Sequence, residues 1–171
     1  KYPNGFAGTA VYDTMIARNM LTHVIENDQY YNTTLRSKGV RNYQLWSGTG
    51  GTVPLPANTQ LQIGNNPIET RLQYLGYDSN SNLLSQSKSG DVQHSYIWDY
   101  WGHRPVAEAV NAATGDIAYT SFEWDGTGGF SLASAQRNTN YALTGNKSYD
   151  LSNGSISRAG LNSTKSYIVS Y

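Results

Sequence analysis

The stretch "SYIWDYWGHRPVAEAV", residues 95–110, packs four aromatic rings into the six residues from Tyr96 to Trp101. Gly102, His103 and Arg104 follow at once. In an extended chain successive side chains alternate between faces, so Tyr96, Trp98 and Tyr100 share one face while Ile97 and Asp99 share the other. Rings arranged this way are expected to be spent on core or inter-strand packing; an exposed strip for stacking sugars is the sharper alternative.

A second window has the same layout. In "RLQYLGYDSNSNLLSQSKSG", starting at Arg71, the pair Tyr77-Asp78 stands where Trp98-Asp99 stands 21 residues later. Tyr74 and Tyr96 precede the two pairs. A turn follows each ("SNSN" and "YWGH"), then an apolar strand through Leu83-Leu84 or Val106-Ala107. The unit is strand, aromatic-Asp, turn, strand: a β-hairpin of about twenty residues. The ring supplies buried area at the strand end. The carboxylate starts the turn by accepting backbone N–H groups two residues on, and Gly102 permits a positive φ at the tip. One hairpin cannot bury its own face, so successive hairpins are expected to stack side by side.

These windows resemble the YD repeats of the RHS family, whose pattern is roughly Y-x-Y-D-x-x-G-[RK]-L. Tyr77, Asp78 and Leu83 match in the first copy; Tyr96, Asp99 and Gly102 match in the second, with Trp98 in the leading Tyr position. Ser81 and Asn82 depart from the pattern, as does Pro105 after Arg104. The order of "VYDTMIARNMLTHVIE", "ETRLQYLGYDSNSNLLSQ", "SYIWDYWGHRPVAEAVNA" and "IAYTSFEWDG" is similar, over most of the chain, to RHS-repeat proteins of Bacteroidetes. Those proteins are very large and secreted or surface-exposed. The resemblance implies a spiralling β-sheet able to wrap into a hollow shell, and it brings no catalytic residues with it.

Composition agrees with short strands and neutral faces. Of 171 residues, 12 are basic and 12 acidic, so the formal net charge is zero. No basic surface is indicated for capturing nucleic acid. Only 14% of residues are charged, against about 25% in an average globular chain. Polarity comes from Asn, Ser, Thr, Gln and Gly instead. There is no cysteine, which excludes disulfides and thiolate chemistry. No apolar run approaches the ~20 residues of a membrane-crossing helix. A chain that begins at Lys1 reads as an excised piece.

Upstream of the hairpins, Val11, Met15, Ile16, Met20, Leu21, Val24 and Ile25 recur near helical spacing. They predict one packing helix, capped by Asp13 or Thr14 and ended by Asn27-Asp28. From Tyr30 the pattern becomes β, with a turn expected at Lys38-Gly39. "SGTGGTVPLPANTQ" is expected to be a loop, because three glycines and two prolines disfavour a regular ladder. Gly48, Gly50 and Gly51 do not make a phosphate loop: no Lys follows, and Pro54 and Pro56 break the helix such a loop requires.

After Tyr119 the register changes. Ser121-Phe122-Glu123, then Thr144 to Leu151, then Leu161 to Tyr171 resemble the opening strands of a jelly-roll carbohydrate-binding module. That resemblance implies a structural calcium near Glu123. A jelly roll needs about eight strands, and this segment offers three or four. Its apolar face is expected to be covered by the remainder of a larger polypeptide or by another chain.

Catalytic patterns are weak. His23, His94 and His103 show no metal-ligand spacing. Asp99 and His103 can approach across a hairpin tip, but Ser95 joins them as a nucleophile only by proximity in sequence. Glu108, Asp116, Glu123 and Asp125 are four acids within eighteen residues, but their sequence spacing does not set up the facing pair a glycosidase needs.

The expected fold is therefore mainly β. YD-repeat-like stacked hairpins with one N-terminal helix occupy residues 1–118, and a partial jelly-roll-like β-sandwich occupies 119–171. The expected role is a non-enzymatic structural segment of a large bacterial protein, secreted or on the cell surface, forming shell or scaffold. One alternative is a carbohydrate-binding module stacking glycan on Trp98, Tyr100, Trp101 and Trp124. Another is part of a shell enclosing a toxin encoded elsewhere. No cofactor is expected beyond calcium at Glu123. Glycan is a candidate partner; nucleic acid and membrane are not.

Overall fold

The computed structural model describes residues 1–124, 126–133 and 137–171. Among the described residues the fold is mainly β, with one α-helix. The chain divides into two compact units, Lys1–Gln93 and His94–Tyr171. This break comes earlier than the change of composition at residue 119, because the hairpin of the opening stretch makes its contacts with residues beyond it. Gly126 N donates to Asp99 Oδ1 (2.8 Å), and Tyr100 and Trp101 both pack on Trp124.

In the first unit a 3-10 turn at Pro3–Phe6 leads into helix α1 (Ala10–Ala17). Thr9 is the N-cap residue, with no side-chain cap bond. Asp13 sits inside the first turn, where its carboxylate accepts from Gly8 N (2.9 Å). The helix is half the length its periodicity predicts. It closes at Asn19, which takes a left-handed φ of 59° that Asn tolerates, while Met20 N bonds back to Met15 O. Beyond it Thr22, Val24 and Ile25 are β-branched and favour extended backbone. Ile25 then joins the sheet side of the unit, its carbonyl accepting from Arg41 N (2.8 Å).

Five strands follow in antiparallel order: β1 (Glu26–Tyr31), β2 (Thr34–Gly48), β3 (Gly51–Ile63), β4 (Glu69–Tyr77) and β5 (Leu83–Lys88). The turn expected at Lys38-Gly39 lies instead inside β2, opposite Asp28 and Asn27. Lys38 belongs there because Glu26 and Asp28 meet it across the ladder at 3.2 and 3.8 Å. The chain turns earlier, through Asn32 at φ 53°.

The expected loop after Ser47 is also a strand. Pro54 pairs with Leu45 and Pro56 with Tyr43. A proline has no N–H to give, so both stand where the polar groups of β3 face away from β2. On that outer side the Thr52 carbonyl accepts from Arg18 (2.7 Å) and the Pro56 carbonyl from the Tyr77 hydroxyl (3.1 Å). The ladder with β4 begins only at Asn58. The glycines make the tight reversal at residues 48–51.

The core lies where α1 meets the sheet. Tyr12, Met15, Ile25 and Tyr43 are buried, with Phe6, Val11 and Met20 packed against them. A second aromatic group joins Trp46 and Tyr77, edge to face at 5.1 Å, with Tyr74 beside Tyr77. Burial pushes the Tyr77 phenol well above its ordinary value of 10. The unfolded chain ionises this phenol first, so the stabilisation it carries is complete below about pH 10 and fades as pH rises toward the folded value. Denaturant melts are therefore expected to show stability falling above about pH 10, and Tyr77→Phe is expected to flatten that fall.

The second unit begins on the strand pair β6 (Gln93–Asp99) and β7 (Arg104–Val110). Both repeat windows are thus hairpins, β4–β5 and β6–β7. Past a 3-10 turn at Thr114–Asp116, the described residues of the expected partial sandwich hold one short ladder, β8 (Arg137–Asn138) with β9 (Ser148–Tyr149). They also hold an isolated bridge between Ser131 and Ser157. Among the described residues no helix is long and apolar enough to cross a membrane.

Candidate functional site: the β6–β7 hairpin tip

In both hairpins the aspartate accepts backbone N–H groups, but Asp78 does so within its own turn and Asp99 also reaches a distant segment. Asp78 Oδ1 accepts from Asn80 N (2.9 Å) and Asn82 N (2.8 Å). Asp99 Oδ1 accepts from Tyr100 N (2.7 Å) and from Gly126 N (2.8 Å). Asp99 is only 7% exposed, so these charge-assisted bonds are what make its burial tolerable.

The backbone of the second tip is unusual. Tyr100, Trp101 and Gly102 have φ of 55°, 56° and 77° in succession. Gly102 adopts this freely, but a left-handed non-glycine residue costs roughly 1–2 kcal/mol. The conformation takes Tyr100 out of strand β6 and off the face of Tyr96 and Trp98. A register shift at Ile97/Trp98 skips Val106 of β7 and leaves Trp98 opposite Pro105. The alternating pattern read from sequence therefore stops at Trp98.

The rings regroup around Trp124. Tyr100 stacks on it at 5.3 Å with an interplanar angle of 14°, and Trp101 meets it edge to face at 4.9 Å. The Arg104 guanidinium lies 5.3 Å from the centre of the Tyr100 ring, and the Lys147 ammonium 5.7 Å from that of Trp124. Both distances fall within the range of cation–π attraction. Tyr100 and Trp124 are half-buried, whereas Trp101 is 67% exposed. Of the four stacking candidates, the structure brings together Tyr100, Trp101 and Trp124; Trp98 stays half-buried on β6. Arg104 and Lys147 were not anticipated. The only signal for Lys147 was its place in the "TGNKSYDL" segment.

Glu123 lies beside this group. Its Oε1 accepts from Asn146 N (2.9 Å) and Lys147 N (3.0 Å), while Lys147 Nζ donates to the Glu123 carbonyl (2.9 Å). These bonds hold the carboxyl below its ordinary 4.5, the Lys147 amide first and the Asn146 amide next. The visible work of Glu123 is thus to pin the 145–147 turn. Among the described residues no group of three His, Cys, Asp or Glu is placed to hold a metal ion. Because its pKa is depressed, the contribution of Glu123 is present above about pH 4.3 and lost as pH falls through the lower folded value. Glu123→Ala at neutral pH, or acid in the wild type, is expected to release the Asn146 and Lys147 amides to fast hydrogen exchange.

The other sequence candidates are dispersed. His94 pairs with Glu108 (2.7 Å), and Ser95 Oγ donates to the Ala112 carbonyl (2.7 Å). Ser95 Oγ and Asp99 Oδ1 are thus engaged with backbone groups. Asp116 holds Lys165 and accepts from the Tyr167 hydroxyl (2.9 Å), fastening the C-terminal segment. Both bonds lower its pKa, Lys165 first. Asp125 lies outside the described residues. His23 sits edge-on to Tyr43 at 6.1 Å. In comparisons with known proteins, no family model, no curated protein and no solved structure matches this chain.

Proposed function

We propose that the chain is a non-enzymatic β-scaffold segment whose second unit is completed by a surface supplied from outside these residues. One observation carries this reading. Among the described residues of His94–Tyr171, the buried side chains are Ser95 and Asp99, both polar; no apolar side chain is buried. Tyr141, Leu143, Leu151, Ile168, Val169 and Tyr171 are instead largely exposed. A small unit without an apolar core lacks the main driving force for folding, so these side chains need a cover. Aspartates at equivalent positions of the two hairpins, each accepting backbone amides, support a repeat architecture of the RHS kind. Under that reading the scaffold belongs to a large bacterial protein, secreted or at the cell surface, and the cover is the next part of that polypeptide or another chain.

Hydrogen exchange resolved by segment, together with binding of an apolar dye, tests the proposal on the 171-residue chain. The expected result is firm protection in strands of residues 1–93, weak protection across 94–171, and dye binding. A monomer with 94–171 protected as firmly as 1–93, and no dye bound, would overturn it.

A further inference from the structure

We infer that the β6–β7 tip is a binding site for a glycan whose hexopyranose rings carry carboxylates. The inference stands apart from the scaffold reading and rests on four observations at one place. Trp101 is the most exposed of the described tryptophans, yet it is not loose: it makes an edge-to-face contact with Trp124. Trp124 in turn stacks on Tyr100, and the Lys147 ammonium lies 5.7 Å from the centre of its ring. The backbone beneath is held left-handed at two bulky residues where asparagine or glycine would sit more easily. Strain kept at an exposed tip is a mark of a residue presented for contact.

The fourth observation is the charge around the rings. Among the described residues, the two carboxylates nearest the rings are engaged by backbone amides. Asp99 accepts the Tyr100 and Gly126 amides, and Glu123 those of Asn146 and Lys147. The Arg104 guanidinium is exposed and lies over Tyr100. The tip therefore offers an exposed indole, Trp101, and an exposed planar cation, Arg104, joined through the Tyr100–Trp124 ring cluster. A pyranose offers a C–H face to an indole, and a uronate carboxylate matches the paired donors of a guanidinium. An indole alone would favour any pyranose; the guanidinium selects the acidic one. Lys147 lies deeper and donates to the Glu123 carbonyl, so Arg104 is the specificity residue.

The test is a fluorescence titration of the full chain with oligogalacturonate and, separately, with cello-oligosaccharide. Oligogalacturonate is expected to bind and cello-oligosaccharide to bind more weakly. Trp101→Ala should weaken oligogalacturonate binding by about tenfold or more, and Trp101→Tyr, which keeps a ring, by less. Arg104→Gln should weaken oligogalacturonate several-fold and leave cello-oligosaccharide unchanged. Far-UV circular dichroism checks that each variant folds as the parent does; Trp101 and Arg104 are exposed, so no change is expected. Equal binding of both glycans with no effect of Arg104→Gln would overturn the acidic specificity. Absence of binding by either glycan, or binding indifferent to Trp101→Ala, would overturn the site.

Discussion

Asp99→Ala is expected to unfold the second unit. Its carboxylate is almost fully buried and receives two backbone amides, Tyr100 at 2.7 Å and Gly126 at 2.8 Å. Removing it leaves both donors without an acceptor, at roughly 1–3 kcal/mol each. Among its described residues only polar side chains are buried, so the unit has little to set against a loss of about 2–6 kcal/mol. The Gly126 bond also ties the hairpin to the segment after Trp124, so the stacking of Tyr100 on Trp124 should be lost with it. Asp99→Asn keeps one acceptor oxygen and should cost less than half as much. Urea titration followed by tryptophan emission measures both. An Asp99→Ala chain within about 1 kcal/mol of the parent would show that the two bonds contribute no more than an ordinary pair.

Met15→Ala is the corresponding lesion in the first unit. Met15 is fully buried beneath α1 among Tyr12, Ile25 and Tyr43. Truncating a buried methionine to alanine removes its apolar area and leaves a cavity, at about 2–5 kcal/mol. The core has few members, so neighbours have little freedom to close the gap. Met15→Leu conserves volume and should cost less than about 1.5 kcal/mol. The residue is on the helix, while its partners Ile25 and Tyr43 lie beside and on the sheet, so the loss should appear in α1 and β2 together. Thermal melts by circular dichroism, with amide exchange at Tyr43 as a local reporter, check both. Loss confined to the helix would mean that α1 docks without supporting the sheet.

The hairpins were legible because their signals are local. An aromatic-Asp pair, a short polar turn and an apolar strand specify a reversal within a few residues, and both windows fold that way. The helix was half legible. Its apolar spacing ran on to Ile25, but the β-branched residues after Asn19 and the demand of the sheet for Ile25 ended it early. Strand β3 was missed because Pro54 and Pro56 count against a central strand; the missing information was which edge of β3 would lie outside the β2 ladder. At the hairpin tip the ring types were visible and their arrangement was not. Sequence alternation placed Tyr100 with Trp98, whereas three successive left-handed residues turn it onto Trp124, 24 positions along the chain. The roles of Arg104, Lys147 and Glu123 depend on that long-range approach, which periodicity does not reveal.

The prolines of β3 have a consequence for how the molecule behaves in a crowd. Strands as long as β2 and β3 are the kind that recruit neighbouring chains and seed aggregates. Along the outer side of β3, from Gly51 to Ala57, an incoming strand would look for alternating donors and acceptors. At Pro54 and Pro56 it would find no N–H, and at Thr52 and Pro56 it would find carbonyls already held by Arg18 and Tyr77. The segment that looked least like a strand is thus a strand with a sealed margin, protected against intermolecular pairing by the residues that disguised it.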